Sequence, residues 1–238
     1  NTRHQGKVIY MDRHQLQQFA STKSQHSLRE IGGRKRKQML SRSALPSHLS
    51  QLTALTTSSI LQSDEVEDLF FSLPFFTKPP TLKLIYSTLL HYRSLEELLS
   101  KTFKHRGACL LLIKSGDFSF GAYLTHQLAP TCAWTGSPSC FLFSSTLGLK
   151  LPYHARTAAE ATQGAPVSPG SPLAYFVQPD AIFIGNGDLS IDAELASGSS
   201  ELENFYGVGC APRSPEALCL LAGTPVFNID AVEVWSIS

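Results

Sequence analysis

Along most of this chain the apolar residues fall in short runs, often at alternate positions, bounded by Gly, Pro, Ser or Asn. That spacing is the mark of β-strands separated by turns. Thr81–Ser87 is predicted to be a strand with Leu82, Leu84 and Tyr86 on one face. Ala108–Lys114 is almost continuously apolar, so a buried strand is expected there; Gly116 and Asp117 supply turn chemistry, and Ser119–Thr125 returns as the second arm of a hairpin. Cys140–Ser144, Leu173–Val177, Ala181–Ile184 and Leu189–Ile191 are further predicted strands. The chain closes on a stretch beginning at Val226 that reads as one strand, with Val226, Asn228, Asp230 and Val232 on one face and Phe227, Ile229 and Ala231 on the other. A terminus rich in β-branched residues and carrying Trp235 stays ordered when a sheet pairs it. This strand is therefore expected inside a sheet, beside strands from much earlier in the chain, with Trp235 buried.

Helical spacing is rare. Ser94-Leu95-Glu96-Glu97 is a capping box, and Leu95, Leu98 and Leu99 form the apolar stripe of a helix running to about Phe103. A second short helix is predicted from near Ser63 to Leu73, with Asp64, Glu65, Glu67 and Asp68 crowding its positive end. Weaker helical stretches lie around Asp12–Phe19 and Ser47–Leu61, interrupted between them by Gly32-Gly33. The fold class expected is mainly β: an antiparallel two-sheet β-sandwich with a few short peripheral helices. A doubly wound α/β sheet would need long helices between strands, and they are missing.

Charge divides the chain in two. Residues 1–44 hold ten Lys and Arg against Asp12 and Glu30, a net of +8, whereas the remainder carries ten basic residues against seventeen acidic ones, a net of −7. Residues 1–62 are therefore expected to be a basic, Ser/Gln-rich arm, partly helical or ordered by a partner, and residues 63–238 the domain proper. A Pro/Gly/Ser-rich insertion is expected at about 150–172, with Pro152, Pro166, Pro169 and Pro172. The longest uncharged run, Phe118 to Leu149, is broken by Gly121, Pro130, Gly136 and Pro138, which excludes a transmembrane helix there. No signal-peptide pattern opens the sequence.

Candidate chemistry is sparse. The five cysteines show no C-x-x-C spacing and are expected to be free thiols of a reducing compartment. Cys109 lies in the most apolar strand and should be inert, which leaves Cys132 and Cys140 as the better redox candidates. Gly198-Ser199-Ser200 is not a G-x-S-x-G elbow, and turn formation is its expected role. Glu233 is a carboxylate in a strand without a second acid placed to share proton transfer; pairing with a buried basic or backbone partner is expected instead. His91 reads as a capping or core histidine. No P-loop, G-x-G-x-x-G or H-E-x-x-H motif occurs, so neither a cofactor nor a metal is expected. The run Arg34-Lys35-Arg36-Lys37 suits an anionic surface, but with Tyr10 and Phe19 as the arm's only aromatics a nucleic-acid platform is poorly supported.

Several segments, taken in order, resemble the TLDc domain family: Leu84-Ile-Tyr-Ser-Thr-Leu-Leu-His91 with Ser94-Leu95, Cys109–Lys114 followed by Phe120-Gly121-Ala122-Tyr123, Phe141-Leu142-Phe143, Leu189–Ser200, and the closing F-x-I-x-x-V-E-V-W. His91, Gly121, Gly198, Ser199, Glu233 and Trp235 fall in these motifs, and the resemblance implies a structural role for them. The chain departs from the family pattern at Tyr92, where Gly is usual, at Ser190, where Trp is common, and at Glu194, where Asp is usual.

The resemblance implies a non-enzymatic intracellular, cytoplasmic interaction module of the oxidation-resistance type. Its implied partners are subunits of the vacuolar proton-pumping ATPase, with protection against oxidative stress as the outcome. The basic arm supports an alternative, a structural component on microtubules or a similar acidic cytoskeletal lattice, with Arg34–Lys37 as the contact. A redox or small-molecule enzyme is the third possibility.

Overall fold

The run Cys109–Ile113 offers no polar position to turn toward water, and the fold buries both faces of the strand that contains it. A computed structural model describes residues 57–74, 81–131, 133–154, 174–202, 205–207 and 214–238, together with Gln18 and Leu55. Its elements in chain order are α1 (Ser63–Ser72), β1 (Leu82–Ser87), α2 (Leu95–Thr102), β2 (Ala108–Ser115), β3 (Phe118–Leu124), β4 (Phe141–Ser144), β5 (Leu149–Pro152), β6 (Tyr175–Val177), β7 (Ala181–Ile184), β8 (Leu189–Asp192), β9 (Ser197–Ser199), α3 (Pro215–Cys219), β10 (Val226–Asn228) and β11 (Ala231–Ile237). The strands form two antiparallel sheets, a six-stranded one ordered β1-β11-β2-β3-β4-β5 and a five-stranded one ordered β10-β9-β8-β7-β6. The protein is a mainly β, two-sheet structure with short helices, as its sequence pattern predicts.

Two apolar layers result. Between the sheets, Leu111, Ile113, Phe120 and Val234 of the larger sheet share a core with Ile182, Ile184, Ile191 and Phe227 of the smaller. The helix α2 caps this core with Leu95, Leu98 and Leu99. On the outer face of the larger sheet, Leu110, Leu112, Tyr123, Phe143 and Trp235 pack with Leu55, Ile60, Leu61, Val66, Leu69 and Leu73. Leu55, Ile60 and Leu61, placed in the arm by composition, thus belong to the packed body. Leu55 and residues 57–73 form a strap laid over the outer face. At its far end Lys150 Nζ sits 4.1 Å above the Phe141 ring and donates to the Ser72 carbonyl at the C-terminus of α1.

Local signals place most elements to within a residue or two. Ser94 caps α2, its hydroxyl accepting from the Glu97 N–H at 3.1 Å. The reciprocal half of the capping box is replaced: the Ser94 N–H goes to the Tyr92 carbonyl, and the Glu97 carboxylate pairs with Lys101. Gly116 takes φ +53° in the β2–β3 turn, a left-handed conformation that favours glycine.

Four expectations are corrected. First, the C-terminal stretch is two strands in different sheets. Ile229 N–H bonds to the Ala196 carbonyl beside β9, and the next N–H, of Asp230, bonds to Lys114 of β2. The chain changes sheets between these residues, so the positions facing the inter-sheet core switch from Phe227 and Ile229 to Val232 and Val234. Second, β1 carries a bulge between Leu84 and Tyr86, so Leu82 and Leu84 face the strap while Ile85 and Tyr86 face the inter-sheet core. Third, Ser197–Ser199 is the short strand β9 rather than a turn. Fourth, the start of the 150–172 insertion is strand β5, pairing with β4 through Pro152, while residues 155–173 lie outside the described ones. Gln18 and Leu55 are helical, but Thr57 to Leu61 are not, which ends the second weak helix early.

The expectation for the C-terminal strand itself holds. Strand β11 lies between β1 and β2, and Trp235 is 2% exposed.

Candidate functional site

Alternation along β11 puts Glu233 and Trp235 on the outer face, beneath the strap. Glu233 is 1% exposed. Its Oε1 accepts from the Ser59 N–H at 2.9 Å and the Ser59 hydroxyl at 2.7 Å. Its Oε2 accepts from the Ser58 hydroxyl at 2.6 Å and from the Trp235 indole N–H at 3.0 Å. Four donors match the four lone-pair directions of a carboxylate, which removes the penalty for burying it. Of the basic or backbone partner expected, the backbone one is present as the Ser59 N–H, and two hydroxyls and an indole take the remaining places. With every acceptor site occupied, this carboxylate has no free oxygen with which to take a proton from a substrate.

The same strap is pegged twice more. Ser119 Oγ donates to the Ile60 carbonyl at 3.2 Å, and Thr146 Oγ1 donates to Glu65 Oε1 at 3.3 Å. The other Glu65 oxygen accepts the Gln62 N–H at 2.9 Å, closing the N-terminus of α1. Thr146 in turn accepts the Ser119 N–H. Strap, hairpin β2–β3 and β11 are thereby tied into one unit.

His91 sits in the loop joining β1 to α2. Its ring stacks on Tyr86 with centroids 5.5 Å apart, and its Nδ1 lies 3.1 Å from Ser87 N. The Tyr86 hydroxyl reaches past it to the Tyr92 carbonyl at 3.0 Å. The Leu90 and His91 N–H groups both return to the Ser87 carbonyl, and Thr88 N–H bonds to the Val232 carbonyl. His91 is therefore a brace for this loop. The loop holds three of the large apolar side chains that reach water: Leu89 at 66%, Leu90 at 71% and Tyr92 at 79% exposed. Hydrophobic spacing did not mark them, because an apolar Leu89-Leu90 pair in sequence reads as core rather than as surface. The Ser94 cap immediately after them was the signal that the strand had ended.

The two motif glycines are packing requirements. A Cβ on Gly121 would lie 1.9 Å from the Leu111 carbonyl oxygen, and one on Gly198 would lie 2.6 Å from the Phe227 ring. Ser199 is in β9, paired across to Ser190 and Val226, with no elbow geometry around it. Arg34, Lys35, Arg36 and Lys37 lie outside the described residues, as does Cys132.

Cys109, Cys140 and Cys219 are buried. Burial pushes the Cys109 thiol up to about 12, which suppresses the nucleophilic thiolate. Burial likewise holds the Tyr175 and Tyr206 hydroxyls well above the usual phenol range; these two donate to the carbonyls of His126 and Ala174. Among the described residues no group of three or more His, Cys, Asp or Glu is placed to hold a metal ion, and no helix is long and apolar enough to cross a membrane.

Comparison with known proteins agrees with the motif order. The family model for the TLDc domain matches residues 54–238, which includes the strap. The chain is 28% identical over 186 residues to nuclear receptor coactivator 7 of Gallus gallus, covering 75% of this chain and 18% of that protein. It is 33% identical over 95 residues to nuclear receptor coactivator 7 of Mus musculus, covering 40% of this chain and 10% of that protein. The chain thus spans less than a fifth of the length of these curated relatives.

Proposed function

The chain belongs to the TLDc domain family, and on that premise we propose that it is a non-enzymatic protein-interaction module that docks onto a large intracellular assembly. One observation carries the non-enzymatic part: Glu233, the carboxylate that family position and burial single out, spends all its acceptor capacity on Ser58, Ser59 and Trp235. It is a structural clasp. The vacuolar proton-pumping ATPase is the partner proposed first, with protection against oxidative damage as the consequence, since family resemblance points there. The basic arm, with its net +8, favours a second reading in which the domain is a fixed component of an acidic lattice such as microtubules.

Two binding experiments on the full chain separate them. Direct capture of the purified cytosolic sector of the ATPase, unaffected by removing residues 1–44, supports the first. Co-sedimentation with microtubules that is lost when salt is raised, and lost with the arm, supports the second. Failure of both binding tests would remove both named partners.

A further inference from the structure

The loop after β1 combines two properties that are costly together: a large apolar surface in water and a fixed backbone. Leu89, Leu90 and Tyr92 supply the surface. Nearly every residue of the loop is tied down. Leu89 N–H donates to the Ser87 hydroxyl at 3.2 Å, and Thr88 is bonded to Val232 through both its N–H and its hydroxyl. Tyr86 holds the Tyr92 carbonyl. Arg93 Nη2 donates to the carbonyls of Ile229 and Asp230, at the point where the chain changes sheets. A loop that served only as a connection would have no need of exposed leucines. Held in one shape, these side chains bind with little further loss of conformational freedom.

The surroundings of the tip carry a sign. Glu96 is exposed on the first turn of α2. Glu194 is exposed beside Ala193, whose carbonyl accepts the Leu95 N–H. Asp230 and Asp117 are exposed at the adjoining crossover and hairpin turn. Two cations lie among them, Arg93 on the backbone carbonyls and Lys114 with the Ser119 hydroxyl at 3.3 Å; both keep their charge, so against these four carboxylates the surroundings of the apolar tip are net negative.

We propose that the Leu89–Leu90–Tyr92 tip is the docking element of this domain, and that it inserts into an apolar recess rimmed by Lys and Arg on a protein partner. Tyr92 and the two leucines fill the recess, and Glu96 and Glu194 meet its basic rim, which steers approach and fixes orientation. This rests on the interaction-module reading above and names the surface that reading leaves open.

The test places a photo-crosslinking phenylalanine analogue at position 92 of the full chain, with the same residue at Val226, exposed on the edge of the smaller sheet, as control. Crosslinked peptides are sequenced after irradiation in cells. Crosslinks from position 92, absent from 226, onto a partner segment with apolar residues flanked by Lys or Arg are the expected result. In parallel, the Leu90→Ser/Tyr92→Ser variant should bind the crosslinked partner at least tenfold more weakly at unchanged melting temperature. Glu96→Gln/Glu194→Gln should bind it several-fold more weakly, with a shallower dependence on salt. Crosslinks onto a second copy of this chain, crosslinks from 226 alone, no crosslink at all, or undiminished binding by the tip variant would each overturn the proposal. The identity of the partner is scored separately. A basic-rimmed segment outside the proton-pumping ATPase upholds the surface and rejects that partner; an ATPase subunit reached only from position 226 does the reverse.

Discussion

Replacing Glu233 by Gln tests whether the clasp holds the strap. Gln keeps the size of Glu but turns one oxygen into an NH2. Of the four donors, the Ser59 hydroxyl can rotate and accept from that NH2, whereas the Ser58 hydroxyl already accepts the Ile60 and Leu61 N–H groups and must go on donating. The other two cannot accept: the Ser59 backbone N–H faces the Oε1 side and the Trp235 indole N–H faces the Oε2 side. Either orientation of the amide therefore sets an N–H against an N–H. Ser59 is exposed, so the amide should turn its NH2 that way and let water take the Ser59 N–H. With water taking over the Ser59 N–H, the lost bond costs about 0.5–1.5 kcal/mol, and weakening the remaining bonds from charge-assisted to neutral adds about 1 kcal/mol. At roughly 2–4 °C per kcal/mol for a domain of this size, melting should fall by about 3–10 °C.

A double-mutant cycle sharpens the point. Trp235→Phe removes the indole donor on the Oε2 side, so in that background Glu233→Gln has one charge-assisted bond fewer to weaken. Glu233→Gln with Trp235→Phe should therefore be less destabilised than the sum of the single variants, by about 0.5–1 kcal/mol. Calorimetric melts of the four proteins decide it. If Glu233→Gln melts with wild type, or the cycle closes additively, the four-donor clasp does not hold the strap in place.

Two other predictions concern packing and pH. Gly121→Ala drives a methyl group into the Leu111 carbonyl and should cost about 3 kcal/mol or more, whereas Gly116→Ala meets nothing within 4 Å and should cost only about 1 kcal/mol for its positive φ; equal melting temperatures would refute the packing account. Stability should also fall at alkaline pH. The Cys109 thiol is raised from 9.0 to about 12, and Tyr86, Tyr123, Tyr175 and Tyr206 are raised from 10.0, all chiefly by burial. Below these unfolded values both states keep their protons and the groups add no pH dependence. Above them the unfolded chain releases protons first, so stability declines as pH rises from the unfolded toward the folded values. Urea midpoints should be flat between about pH 7 and 8.5 and drop by about pH 10.5; a midpoint unchanged there would contradict the burial of these groups.

What the amino-acid order determined by itself is whatever acts over a few residues. The Ser94 cap, the β2–β3 hairpin around Gly116, and the alternation that marks most of the strands are set by contacts within one turn or one pleat, and all are legible without a fold. So were Glu233 and Trp235 as notable residues, since they close the chain in a dense apolar pattern. Tertiary structure decided the rest. Ser58 reaches Glu233 across 175 residues of sequence, and no local rule couples a weakly patterned Ser-Ser pair to a strand at the other end of the chain. The change of sheet between Ile229 and Asp230 leaves the apolar alternation looking continuous through Ile229. The bulge in β1 hides in the same way, because Leu84, Ile85 and Tyr86 are all apolar and each face has its own core to receive them. Hydrophobicity says that a side chain will be buried where it can be, but not which layer will cover it. Leu89, Leu90 and Tyr92 are exposed for the complementary reason: the hydrogen bonds that fix their loop to β1 and β11 aim them away from both layers.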